Sequence, residues 1–278
     1  MTKNEEHTWK LTLAWDGTGF HGWQVQPGHL TIQGTLAGAI ERITGERVLP
    51  QGSGRTDTGV HARGQVASFT LAAPIPPANL HRALNRALPE TIRILSAEHA
   101  PSGFHARHSA CAKTYEYRIF RGEICPPWLS RFVYALNWPL QVDAMRQAAA
   151  LVLGEHDFTS FAASDPDLAT RNAEPAAAEE SLHGKSAGVR VIYASSWHEE
   201  RHEDGDLLLY RIRGNGFLHH MVRNLVGTFL DAGRGHIAPE EVRAILERRS
   251  RSAAGPTAPA RGLFLDHVEY PPASSPEP

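Results

Sequence analysis

The chain has 278 residues, 41% apolar and 21% charged, with a formal net charge of −2, the makeup of an ordinary soluble protein of one large domain or two coupled smaller ones. No apolar stretch approaches the length that spans a bilayer, and residues 1–10 lack a signal-peptide core, so the cytoplasm is the expected compartment and no membrane is expected as a partner. Cys111 and Cys125 are too few for a disulfide framework and are not spaced as a zinc pair, which leaves them as reduced thiols.

Trp9, Leu11, Leu13 and Trp15 alternate with smaller or polar residues, the pattern of a half-buried strand. Thr31 is placed to cap a helix with the apolar stripe Ile32, Leu36, Ile40 and Ile43, closed by Gly45. Residues 65–71 read as a second strand, and Leu80, Leu84 and Leu88 sit at helical spacing ahead of Pro89, which ends that element. A second series begins with Tyr115, Tyr117 and Ile119 on one face of a strand and Glu116, Arg118 and Phe120 on the other. Asp143 is positioned to cap a helix running through Met145, Ala149 and Val152 to Gly154.

Residues 163–188 have no periodicity and read as a flexible insertion. Strands are expected over 189–194, 207–213 and 263–270, helices over 216–230 and 239–249, and a disordered tail over 271–278. Between Asp165 and Asp206 ten acidic residues face four basic ones, a local charge of −6 that leaves +4 on the rest of the chain. Such asymmetry permits an RNA partner without demonstrating one. No short-period repeat is present, and the alternation of elements predicts two similar halves of mixed α and β content sharing a sheet.

Three places carry chemistry. Residues 51–62 hold Gly54-Arg55-Thr56-Asp57-Thr58-Gly59 in a stretch with three glycines in eight residues. These relax the backbone for a sharp turn and bring Arg55 and Asp57 within reach of one site. Taken alone, the segment reads better as an ordinary turn, and a phosphate loop is disfavoured because no Gly-Lys-Ser/Thr follows. Over 216–230 a wide apolar face (Phe217, Leu218, Met221, Val222, Leu225, Val226, Phe229) leaves His219, His220, Arg223 and Gly227 largely on the other side. This is either a core helix with a basic edge or a substrate-facing one. Zinc at His219 and His220 is disfavoured, because adjacent helical positions diverge by about 100°. In Lys113-Thr114-Tyr115-Glu116-Tyr117 an aromatic on a sheet is either core or a platform for an unstacked base.

Together and in this order, the three places resemble the bacterial tRNA pseudouridine synthase A family. The likeness runs from about Leu11 to Tyr270 and rests on five blocks. The first is Asp16-Gly17-Thr18-Gly19-Phe20-His21-Gly22-Trp23-Gln24 with Thr31-Ile32-Gln33-Gly34, and the second Gly54-Arg55-Thr56-Asp57-Thr58-Gly59-Val60-His61-Ala62. The third is Phe104-His105-Ala106-Arg107-His108-Ser109-Ala110 with Lys113-Thr114-Tyr115-Glu116-Tyr117. Gly216-Phe217-Leu218-His219-His220-Met221-Val222-Arg223-Asn224 and Ala258-Pro259-Ala260-Arg261-Gly262-Leu263 complete the set. His108 stands where that family commonly has an aromatic, and Lys113 where it commonly has Arg.

The resemblance implies an α+β fold: two related α+β halves, 1–108 and 109–278, sharing one continuous, largely antiparallel sheet with helices packed on it and a central cleft. It implies isomerisation of uridine to pseudouridine at positions 38 to 40 of the tRNA anticodon stem-loop by a homodimer that needs no cofactor or metal. Asp57 is then the nucleophile, Arg55 opens or holds the flipped nucleotide, Tyr115 stacks on the target base, and Arg223 pairs with the aspartate. Arg107, His219 and His220, with Arg63, Arg118, Arg211 and Arg213, are candidate phosphate contacts. A flipped base needs a space-filling group and a stacking platform, which Arg55 and Tyr115 suit. The alternatives are a non-catalytic RNA-binding module of the same fold and, more remotely, a glycosidase acting on free nucleosides.

Overall fold

The computed structural model describes residues 6–163, 187–201 and 204–272. The insertion expected over 163–188 and the tail over 271–278 therefore lie outside the described residues, apart from 163, 187, 188, 271 and 272. In chain order the elements begin with β1 (His7–Trp15), α1 (Ile32–Thr44), β2 (Gln51–Gly52), β3 (His61–Leu71), α2 (Pro77–Ala87), β4 (Ile92–His99), β5 (Ala112–Arg121) and α3 (Pro127–Ser130). They continue with β6 (Tyr134–Ala135), α4 (Val142–Ala150), β7 (Gly154–Asp157), β8 (Val189–Glu200), β9 (Asp206–Gly214), α5 (Met221–Gly233), α6 (Glu241–Arg248) and β10 (Leu263–Glu269). The chain forms two compact units: Met1–Glu116 with Pro127–Tyr134 and Ala260–Pro278, and Tyr117–Pro126 with Ala135–Pro259.

In the first unit the hydrogen-bonded strand order is β4-β1-β3-β10 and then the opening residues of β5, with β2 on β3. β1 pairs antiparallel with β3 and with β4, whereas β10 joins β3 in parallel, Phe264 opposite His61 and Leu265 opposite Ala62. The alternation in β1 buries Trp9, Leu11, Leu13 and Trp15 on one face, as its period of two requires. β3, flanked on both edges, is buried along nearly its whole length. α1 starts where the Thr31 hydroxyl accepts the Gly34 N–H at 3.3 Å, and stops where Gly45 turns left-handed at φ 76°. α2 opens on Pro77, buries Leu80 and Leu84, and packs on β4. β4 is absent from the sequence reading, because only Ile92 and Ile94 in it are buried and two positions make too short a pattern to detect.

In the second unit the closing residues of β5 lead to the order β5-β9-β8-β7. β8 runs to Glu200, six residues beyond its predicted end, paired antiparallel with β9 down to Glu200 opposite Leu207. α4 packs against α5 and β8, and Trp197, Tyr210 and Phe229 form an aromatic core, the Tyr210 and Phe229 rings 5.3 Å apart and edge to face.

Two helix starts differ from expectation. α4 begins at Val142 with Gln141 in the cap position, so Asp143 sits inside the first turn, paired to Arg146 at 2.8 Å, and is not the cap. α5 begins at Met221, not Gly216, because His220 takes a left-handed backbone at φ 60° that no helix can continue through. The α+β class is as predicted, and neither cysteine is in a disulfide. Among the described residues no helix is long and apolar enough to cross a membrane.

Candidate active site

In the first unit the 53–60 loop is held chiefly through its backbone. On one side, Ser53 N–H donates to the Val66 carbonyl at 2.8 Å, and the Gln65 amide donates to the Gly54 carbonyl at 2.7 Å. The Gln65 carbonyl oxygen accepts the Ser53 hydroxyl at 2.5 Å, and the Lys113 ammonium donates to the Ser53 carbonyl at 2.5 Å. On the other side lies the segment after β1. Trp23 N–H donates to the Thr56 carbonyl at 3.0 Å, Gly59 N–H to the Phe20 carbonyl at 3.3 Å, and the Trp15 indole to the Val60 carbonyl at 3.0 Å. Two glycines of that segment are needed for closeness: a Cβ on Gly17 would lie 2.2 Å from the Val60 carbonyl oxygen, and one on Gly22 2.4 Å from that of Thr56. The Asp16-to-Trp23 block is thus the cradle of the Asp57 loop.

This cradle contains a cluster that the sequence blocks include but to which sequence reasoning assigned no role. His61 is fully buried at the start of β3. Its Nδ1 accepts the Gly17 N–H at 3.0 Å, its Nε2 lies 2.9 Å from the Arg131 carbonyl, and its ring stacks on Phe264 at 4.7 Å. A carbonyl only accepts and an amide only donates, so the imidazole is the neutral Nε2–H tautomer. Asp16 sits 3.4 Å from Nδ1 and 3.3 Å from the Arg131 guanidinium. Burial works to raise the Asp16 carboxyl, but the side-chain and backbone hydrogen bonds from Thr18, together with His61 and Arg131 beside it, leave the group below the ordinary carboxylate value. The only sequence signal for this cluster was its position, Asp16 opening one block and His61 nearly closing the next.

Asp57 and Arg55 are half-buried on this loop, and Tyr115, on β5, is 93% buried with its hydroxyl 3.9 Å from where a Gly54 Cβ would stand. Burial, and then the negative charge of Asp57, push the Tyr115 phenol well above its usual range. Tyr115 is therefore a neutral ring beside a carboxylate, and the structure brings these two predicted residues together. The Thr56 hydroxyl, next to Asp57, is buried and has no hydrogen-bond partner among the described residues. Arg107 lies in the same unit on the loop after β4, where its N–H donates to His105 Nδ1 at 3.1 Å. That loop is fastened by Ala106, whose N–H donates to the Ser68 hydroxyl at 2.9 Å and whose carbonyl accepts from Tyr270 at 2.7 Å.

Arg223, His219 and His220 belong to the second unit. Arg223 is in the first turn of α5, its Nε donating to the Ala258 carbonyl at 2.8 Å while its own carbonyl accepts the Ala258 N–H at 3.1 Å. The neighbouring Asn224, fully buried, donates to the Phe161 carbonyl at 2.7 Å and accepts from Thr257 at 2.7 Å and Arg251 at 3.1 Å. The same 255–258 segment explains Gly227, where a Cβ would fall 1.6 Å from the Pro256 carbonyl oxygen. His219 and His220 precede the helix rather than lying on it. Their rings are 4.0 Å apart, so the divergence expected of adjacent helical positions does not apply to them.

The family profile described as tRNA pseudouridine synthase matches residues 13–109 and 148–271. A protein from Solibacter usitatus named tRNA pseudouridine synthase A is 49% identical over 261 residues, covering 94% of this chain and 98% of the relative. Proteins of the same name from Moorella thermoacetica and Bacillus subtilis are 43% and 41% identical over 263 residues each, with the same shares of both chains covered. The blocks at 16–24, 31–34 and 54–62 fall within the profile match, Lys113 and Tyr115 lie between its two parts, and the chain is an isomerase of the tRNA pseudouridine synthase family.

Proposed function

We propose that this chain converts uridine to pseudouridine at positions 38, 39 or 40 of the tRNA anticodon stem-loop, with Asp57 as the nucleophile. The reaction breaks the N1–C1′ bond, turns the base, and rejoins it through C5, whose proton leaves to solvent. It requires no net oxidation or reduction, and a single positioned carboxylate serves as nucleophile or as base toward the ribose. What supports the reading is the loop. Asp57 is presented on a backbone clamped from two sides, beside a buried, neutral Tyr115 suited to stack on an unstacked base. Arg55, from the same loop, fills the place of the extruded nucleotide or holds it, Arg223 supplies the cation that favours an ionised aspartate, and Arg107, His219 and His220 take phosphates. The enzyme works in the cytoplasm as a homodimer.

The test is Asp57→Asn. The variant should bind tRNA as the parent does and release no tritium from tRNA labelled at uridine C5. Release at the parental rate overturns the assignment. The homodimer predicts a mass by light scattering of about twice the 30.5 kDa of one chain, and a single-chain mass at micromolar concentration rules it out.

A further inference from the structure

The sheet of the second unit carries a group of residues suited to RNA that the reaction described above does not use. β8 and β9 pair with Ile192 opposite Gly214 and Ala194 opposite Arg213, so Tyr193 is the extra residue of a β-bulge. Along β9, Tyr210, Ile212 and Gly214 are buried, Tyr210 against Phe229 of α5. Arg211 and Arg213 alternate with them and so project from the opposite face. The bulge turns Tyr193 to that face, where it is 47% exposed and the Arg213 guanidinium lies 5.0 Å from its ring centroid. Arg211, two positions along the same row, is exposed.

An extra residue breaks the pairing ladder, and a half-exposed tyrosine adds little to a core, so neither packing nor sheet pairing accounts for an aromatic here. An exposed cation–π contact alone is a weak return. A flat ring with one guanidinium against it and a second arginine two positions along the same strand is, however, the chemistry that holds a nucleobase by its face and its phosphates by charge. We propose that Tyr193, Arg213 and Arg211 form an RNA-binding site, in which an unstacked base of the tRNA rests on Tyr193 and the arginines take the flanking phosphates. An acidic peptide would use the charges but not the ring. The inference rests on the proposed tRNA substrate and adds to it a contact that serves binding rather than bond-making.

The experiment measures tRNA affinity by fluorescence anisotropy, and turnover at saturating tRNA, for Tyr193→Ala, Tyr193→Phe and Arg213→Gln. Tyr193→Ala should weaken binding roughly 5- to 100-fold with maximal turnover unchanged, and Tyr193→Phe, which keeps the ring, should stay within about 2-fold of the parent. Arg213→Gln should reduce the salt dependence of binding by about one counterion. If the parent binds and turns over tRNA while Tyr193→Ala binds as tightly, the site is not an RNA site. Equal losses in Tyr193→Ala and Tyr193→Phe would replace stacking by a hydroxyl contact and also overturn the proposal. So would altered self-association in Tyr193→Ala at unchanged tRNA affinity, which marks a protein contact. A parent that neither binds nor turns over tRNA defeats the functional reading first, and this one with it.

Discussion

An imidazole shut away from water, with an amide donor on one nitrogen and a carbonyl acceptor on the other, links pieces of chain that are otherwise far apart. His61 joins Gly17, the end of the Asp57 loop and Arg131 in this way. Replacing it by Ala strands the buried Gly17 N–H and the part-buried Arg131 carbonyl, for which we expect a loss of about 1–3 kcal/mol in urea unfolding. His61→Asn keeps an acceptor toward Gly17 and should recover part of that loss. In both variants turnover should fall more than tRNA affinity, because the loop would move while the RNA contacts remain. Unchanged turnover in His61→Ala would mean that the loop keeps its place without the ring. Neither role was legible in the sequence, since a buried histidine and a surface one are written with the same letter. Gly17 and Gly22 stood in the sequence only as members of the first block, and it is the structure that shows the Val60 and Thr56 carbonyls leaving no room for a side chain there.

Helix glycines bring out the same contrast among elements. Gly38 in α1 faces open space: the nearest atom to a methyl added there would be the flexible Arg42 Nη1, at 3.6 Å. Gly38→Ala should therefore stabilise the protein by about 0.5–1 kcal/mol through helix propensity. Gly227 in α5 faces the Pro256 carbonyl oxygen, which would lie 1.6 Å from an added Cβ. Gly227→Ala should destabilise by roughly 1–3 kcal/mol despite the same propensity gain, and chemical denaturation of the two variants side by side checks both signs. α1 could be read from the sequence to within a residue, because Thr31, the apolar stripe and Gly45 each encode a local decision. The start of α5 could not, because apolar Phe217 and Leu218 continue the helical pattern backward across a residue whose backbone is left-handed. β4 escaped for the opposite reason: its stability comes from β1 beside it and α2 against it, not from a pattern of its own.

For the molecule as a whole, the first unit is assembled from three stretches of chain, and β10 from the third lies beside β3 from the first. A fragment of residues 1–116 lacks that strand, so the buried His61–Ala62 end of β3 would be left without its partner. We expect it to show no cooperative unfolding transition and to aggregate; a sharp thermal transition by circular dichroism would contradict this. The pairing of β3 with β10 spans a long stretch of sequence, as the contact of Arg63 with Asp266 across 203 positions shows. On the ribosome, therefore, the Asp57 loop emerges long before the strand that completes its support. The nascent chain spends most of its synthesis with Asp57 on an unfinished scaffold. Completion must wait for a distant segment to arrive, which makes this unit a slow, high-contact-order folder and a natural client for chaperones.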